Sequence, residues 1–167
     1  GRGVRPGHAG GGTVWILEDI TADRETQAQQ AWEQTHDVLT RLYNRTAFDE
    51  RLGLLLAELA ARPRAAAGEG AEAHGAGVVL FLDLDHFTVV NDIAGHDAGD
   101  DVLRHVARLL ESQVRQIGWA ARLGGDEFAV VLPGCALARG QAVAEQLREC
   151  VQAWEPSYQG RSFTLGV

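Results

Sequence analysis

Two acids follow a glycine pair at Gly124-Gly125-Asp126-Glu127, and an unbroken apolar run, Phe128-Ala-Val-Val-Leu132, follows the acids. Paired carboxylates hold hard cations, and glycine lets a ligand come against main chain that carries no side chain. The arrangement suits a triphosphate and its magnesium ion. A second acidic pair, Asp83 and Asp85, ends the apolar run Gly77-Val-Val-Leu-Phe-Leu-Asp-Leu-Asp85. At a side-chain period of two, both acids project to the same side. Further on, Asn91 and Asp100 place an amide and a carboxylate where together they can read a purine edge. Taken singly, Asn91 and Asp100 read better as helix caps and Asp83 as a strand end; it is their combination that points to a site.

These groups need a scaffold, and hydrophobic periodicity supplies its outline. Gly124-Gly125 predicts a tight hairpin turn, with Phe128 to Leu132 a buried strand leaving it. Gly77 to Asp85 reads as a central strand, apolar on both faces. His86 to His96 predicts a short helix stopped by Gly95, with His86 exposed and His96 a turn residue. Gly99-Asp100 then opens a helix that buries Leu103, Val106, Ala107, Leu110 and Val114 at helical spacing. Helix 46–61 buries Phe48, Leu52, Leu55 and Leu59, and a later helix buries Val143, Leu147, Val151 and Trp154, with Trp154 a core residue. Near the start, 1–12 reads as a glycine-rich loop and Thr13 to Ile20 as a strand. Thr21 then caps a polar helix running to about residue 36. Its thin stripe of Ala28, Ala31 and Trp32 makes that helix marginal alone but able to pair with a copy of itself. Arg62 to Gly75, interrupted by Pro63, reads as a low-complexity surface loop.

With 167 residues, the chain holds one domain plus a tail. A net charge of −8, with no basic block, argues against nucleic acid or an anionic membrane surface as partner. Cys135 and Cys150 lack metal or disulfide-framework spacing, and no histidine pair has ligand spacing. With no signal peptide and no apolar run long enough to span a bilayer, the expected compartment is the reducing cytoplasm. The chain starts at Gly1 and contains no methionine, so it is expected to be a piece of something longer.

Gly124 to Phe128 resembles the signature of the GGDEF family, the diguanylate cyclases. Residues 83–100 are similar to that family's pattern D-[IL]-D-x-F-K-x-x-N-D-x-x-G-H-x-x-G-D at every position but one. The resemblance implies an α/β (α+β) fold: a mostly antiparallel central sheet flanked by helices, like the palm of nucleotide cyclases and polymerases. It implies that two GTP molecules are joined into cyclic di-GMP by a homodimer, with one GTP on each copy. Asp83 and Asp126 would bind magnesium (or manganese) with help from the Leu84 carbonyl, and Glu127 would complete the acidic site. Asn91 and Asp100 would bond guanine, and Phe87, Gly124 and Gly125 would line the substrate. The exception is Thr88, where the family has a lysine near the phosphates; losing that cation should weaken charge stabilisation.

His36 to Arg45 resembles the family's opening motif D-x-L-T-G-L-x-N-R, with Arg41 in place of glycine and with Asp37 and Arg45 expected to pair. The strand before it resembles the end of a PAS sensor domain. The implied organisation is a PAS-like end over 1–20, a signalling helix over 21–36 and a GGDEF domain over 37–167. Arg115-Gln-Ile-Gly118 occupies the place of a product-binding R-x-x-D motif whose acid is absent, implying weak or no product inhibition. Gly160 to Val167 is similar to a late strand of the family. By the same resemblance, the last helix and its phosphate-binding cations lie beyond Val167, so the chain as it stands is expected to fall short of a competent enzyme. Tandems of PAS, GGDEF and EAL phosphodiesterase domains look similar too. A GTP-sensing module controlling a downstream EAL domain is therefore a second reading, and a dimerising relay a third.

Overall fold

The computed structural model describes residues 2–9, 12–19, 21–61 and 77–167. It divides into two compact units, Gly1–Thr35 and His36–Val167. In the first unit, β1 (Arg2–Ala9) pairs antiparallel with β2 (Gly12–Asp19), and α1 (Thr21–Glu33) follows. The loop expected over 1–12 is thus largely a strand. Backbone pairing needs only a partner's N–H and C=O groups, and β2 supplies them in full register. Ala28 and Ala31 of α1 are exposed. The expected 62–75 loop lies outside the described residues.

The second unit is α+β, with helices on both faces of an antiparallel sheet. Its strands are β3 (Gly77–Asp83), β4 (Trp119–Gly124) and β5 (Glu127–Pro133), in the order β3-β5-β4. Strand alternation decides which face each side chain serves. Phe128, Val130 and Leu132 point to one face, where α4 (His96–Val114) and α5 (Leu137–Gln152) cover them. Ala129 and Val131 point to the other, against Phe48 of α2 (Arg45–Ala61). All five strand residues are fully buried. Burying a side chain of Phe128's size contributes about 1.5–3 kcal/mol, so this strand anchors both layers.

Being buried on both faces, β5 is the central strand. The prediction gave that place to β3, which lies at the edge of the described sheet with Phe81 69% exposed. An apolar run marks a strand but does not reveal how many neighbours it has. On α4, Leu103, Val106, Ala107, Leu110 and Val114 are all buried as the spacing predicted. The helix starts at His96, however, so Gly99 and Asp100 are its fourth and fifth residues rather than its opening. On α2 only Phe48 of the predicted stripe is fully buried; Leu52, Leu55 and Leu59 are half-buried. On α5, Leu147 and Val151 are buried, while Trp154 lies past the helix end, half-buried and stacked on His105 at 3.8 Å. The expected late strand is reduced to a small hairpin, β6 (Ser157–Tyr158) and β7 (Arg161–Ser162), and an antiparallel bridge between Asp85 and Gly166.

Candidate functional site

The acids meet at one end of the sheet because of register. Asp83, the last residue of β3, lies opposite Glu127, the first residue of β5. The Leu84 N–H donates to the Asp126 carbonyl at 3.3 Å, extending the pairing one step past the strands. Asp83, Leu84, Asp126 and Glu127 therefore converge from two separate stretches of sequence. Asp83 and Glu127 are exposed and Asp126 is half-buried. A cavity of about 300 Å³ beside them is lined by Asp83, Glu127, Arg45 and the apolar Phe81, Leu82, Leu123 and Phe128. A groove of about 640 Å³ on the other side of β3 holds both Asp83 and Asp85.

The turn between β4 and β5 has the conformation that its glycines permit: φ is 148° at Gly124 and 53° at Gly125. No atom lies within 4 Å of where either Cβ would stand, so a ligand has open access to this backbone. The donors are all hard oxygens, which suits magnesium or manganese. Among the described residues no three His, Cys, Asp or Glu side chains form a ready-made cation cage. Magnesium ordinarily takes one or two carboxylates and completes its shell with water and phosphate oxygens. The acids here fit that open kind of site.

A second group forms where α3 (Phe87–Ala94) reverses into α4. His86 precedes α3 with φ 64°, and Gly95 turns the chain between the helices with φ 88°. Neither Asn91 nor Asp100 is an N-cap: His86 and Gly95 hold those positions, without side-chain cap bonds. The capping alternative is thereby removed. A Cβ built on Gly99 would collide with Oδ1 of Asn91 and stand 3.3 Å from the Phe87 ring. The missing side chain is what lets the Asn91 amide lie against the first turn of α4 at Gly99, the residue before half-buried Asp100. Arg104 approaches Asp100 at 3.7 Å from one turn along.

The arginines are distributed differently from expectation. Asp37 and Arg45 do not pair. Arg45 Nε donates to the Leu123 carbonyl at 3.0 Å, and its Nη2 reaches Glu127 at 3.3 Å. Asp37 instead receives Arg122 Nη1 at 3.1 Å. The reason is the path of the chain: Tyr43 bridges parallel to Ala121, and Arg122 N–H bonds the Tyr43 carbonyl, which lays the 37–45 turn along β4. Burial raises the Asp37 carboxyl, but bonds from the Thr40 hydroxyl and N–H and from Arg122 outweigh it and leave the group below its ordinary value. Sequence reasoning missed Arg122, although it stands two residues before the glycine pair.

At the degenerate motif, Arg115 is exposed at the C-cap of α4. A Cβ on Gly118 would run into the Val131 carbonyl oxygen. The glycine found there is what lets β4 close on β5.

A family description, "Diguanylate cyclase, GGDEF domain", matches residues 34–166. The chain is 35% identical over 156 residues to the probable diguanylate cyclase DgcE of Escherichia coli, covering 93% of this chain and 13% of that protein. It is 38% identical over 121 residues to the cyclic di-GMP phosphodiesterase PdeB of Shewanella oneidensis, covering 72% of this chain and 12% of that one. The chain thus spans about an eighth of either relative's length. Among solved structures, the coiled coil and GGDEF domain of DgcB from Caulobacter crescentus, in complex with c-di-GMP, superposes with TM-score 0.70 at 31% identity. That match covers 88% of this chain and 73% of the other.

Proposed function

The chain belongs to the GGDEF family of diguanylate cyclase domains, and from that premise we propose that it condenses two molecules of GTP into cyclic di-GMP as a homodimer in bacterial signalling. The observation that carries this reading is the register of β3 against β5, which brings Asp83 beside Glu127 and bonds Leu84 to Asp126.

In this reading each copy holds one GTP, and the two sites face each other. Asn91 and Asp100 hydrogen-bond the guanine edge, with Phe87 beside it. Gly124 and Gly125 let the phosphates lie against bare main chain. Asp83, Asp126 and the Leu84 carbonyl are the groups that would hold magnesium or manganese, and Glu127, steadied by Arg45, completes the acidic end. When bound, the metal supplies charge neutralisation on the phosphates and a lowered pKa for the attacking hydroxyl. The 3′-hydroxyl oxygen of one GTP bonds to the α-phosphorus of the other as the bond to pyrophosphate breaks. The same exchange in the opposite sense closes the ring and releases a second pyrophosphate. One copy alone cannot complete the site, because attacking and leaving groups belong to different nucleotides.

A second reading, a GTP-binding module that regulates an EAL phosphodiesterase domain, is favoured by Thr88 and by the likeness to a phosphodiesterase. Upstream PAS and downstream EAL domains belong to these proposals. The test is to incubate the full-length protein with GTP and magnesium, separate the products by chromatography and identify them by mass. Cyclic di-GMP that disappears in Asp126→Ala is the expected result. Full activity in that variant would sink the assignment. GTP that binds by calorimetry yet stays intact would favour the regulatory module, and no binding at all would leave only a dimerising relay.

A further inference from the structure

Arg122 takes no part in the chemistry above, yet every arm of its side chain is committed. Nε and Nη2 both donate to the Gly125 carbonyl oxygen, at 3.0 and 2.7 Å. Nη1 donates to both carboxylate oxygens of Asp37, at 3.1 and 3.3 Å. That carboxylate is itself fixed: its Oδ1 accepts from the Thr40 N–H at 2.8 Å and the Thr40 hydroxyl at 2.6 Å, and Thr40 is buried. The Arg122 side chain is only 13% exposed; its bonds to Asp37 are partly buried, while those to Gly125 lie at the exposed turn.

We propose that Arg122 is a positioning residue that holds the Gly125 carbonyl, and through it Asp126, in a fixed relation to Asp37. The inference rests on the cyclase reading for what Asp126 does. The physical argument is about the turn. Two successive glycines leave a backbone with many accessible conformations, an unsuitable mount for a group that must be placed to a fraction of an ångström. The peptide between Gly125 and Asp126 is planar, so fixing the Gly125 oxygen fixes the plane from which the Asp126 Cα departs. On its far side Asp126 is held by its own carbonyl, which accepts from the Leu84 N–H. Asp126 is therefore gripped from both flanks: from β3 through Leu84, and from the 37–45 turn through Arg122. A lysine cannot reproduce this, because a single ammonium lacks the planar fork that serves two acceptors in opposite directions.

The test uses Arg122→Lys and Asp37→Asn, alone and combined, in the full-length protein, with two readouts. The first is steady-state cyclic di-GMP synthesis. We expect kcat to fall tenfold to a hundredfold in Arg122→Lys with KM for GTP within threefold. The double variant should be little worse than Arg122→Lys, because both changes break one connected unit. The second is amide hydrogen exchange without ligand, expected to speed up at least tenfold over 124–127 while 129–132 stay at the wild-type rate. An unchanged kcat, unchanged exchange over 124–127, or a loss that follows melting temperature alone would overturn the proposal. Wild-type protein that makes no cyclic di-GMP would instead sink the cyclase reading, and the grip on the turn then stands or falls on the exchange rates.

Discussion

Oδ1 of Asn91 occupies the volume that a side chain at Gly99 would need. The contact joins α3 to the first turn of α4 and sets the amide against Gly99, the residue before Asp100. Because the atoms in the way are the end of the Asn91 side chain and, at 3.3 Å, the Phe87 ring, an added methyl group displaces the amide and leaves the backbone alone.

Gly99→Ala therefore separates stability from recognition. Alanine in a helix is favoured over glycine by about 1 kcal/mol, so the melting temperature should hold or rise slightly. GTP affinity should drop at least about tenfold, about 1.4 kcal/mol, as the Asn91 amide rotates away. Calorimetric titration with GTP beside a thermal melt checks both. Unchanged affinity would remove Asn91 from the guanine site.

Restoring the absent acid at residue 118 should not restore a product site. In Gly118→Asp the new Cβ meets the backbone oxygen of Val131, which cannot rotate away as a side chain can. Forcing atoms into a packed region costs about 1–3 kcal/mol. A lowered denaturant midpoint without new inhibition by cyclic di-GMP is expected.

Two helical glycines should respond in opposite directions. Gly140 of α5 lies so close to Val78 of β3 that a Cβ would stand 2.7 Å from its methyl group, whereas nothing lies within 4 Å of the Cβ position at Gly53 on α2. Gly140→Ala should destabilise by about 1–3 kcal/mol, and Gly53→Ala should stabilise by about 0.5–1 kcal/mol. Urea unfolding of the two variants decides.

His105 makes stability depend on pH. Burial lowers its imidazole below the ordinary value, and Arg108 adds to the effect. The unfolded chain, titrating near 6.5, takes up this proton before the folded chain does, so stability rises with pH across that window. The contribution is complete above about pH 6.5 and drains away as pH falls towards the lowered folded value. Wild-type melting temperature should fall more steeply from pH 7.5 to 5.5 than that of His105→Phe, which keeps the stack on Trp154. Equal slopes would rule the group out.

Residue types at short range were enough to determine much of this molecule. The unbroken apolar run Phe128 to Leu132, the helical spacing from Leu103 to Val114 and the glycine pair at 124–125 are local patterns with local physical causes, and each forms the element it encodes. The sets Asp83 with Leu84, Asp126 with Glu127, and Asn91 with Asp100 could likewise be named as candidates, because motif spacing preserves the identity of groups even where it cannot show how they meet. Tertiary structure alone decided which strand is central, since an apolar run looks the same with one neighbour or two. It alone decided that Asp37 pairs with Arg122 rather than Arg45, since a long flexible cation finds its partner from the path of the folded chain. It also gave Gly99 and Gly118 their meaning. A glycine's role lies in the space around its missing side chain, and that space exists only after α3 has packed on α4 and β4 on β5.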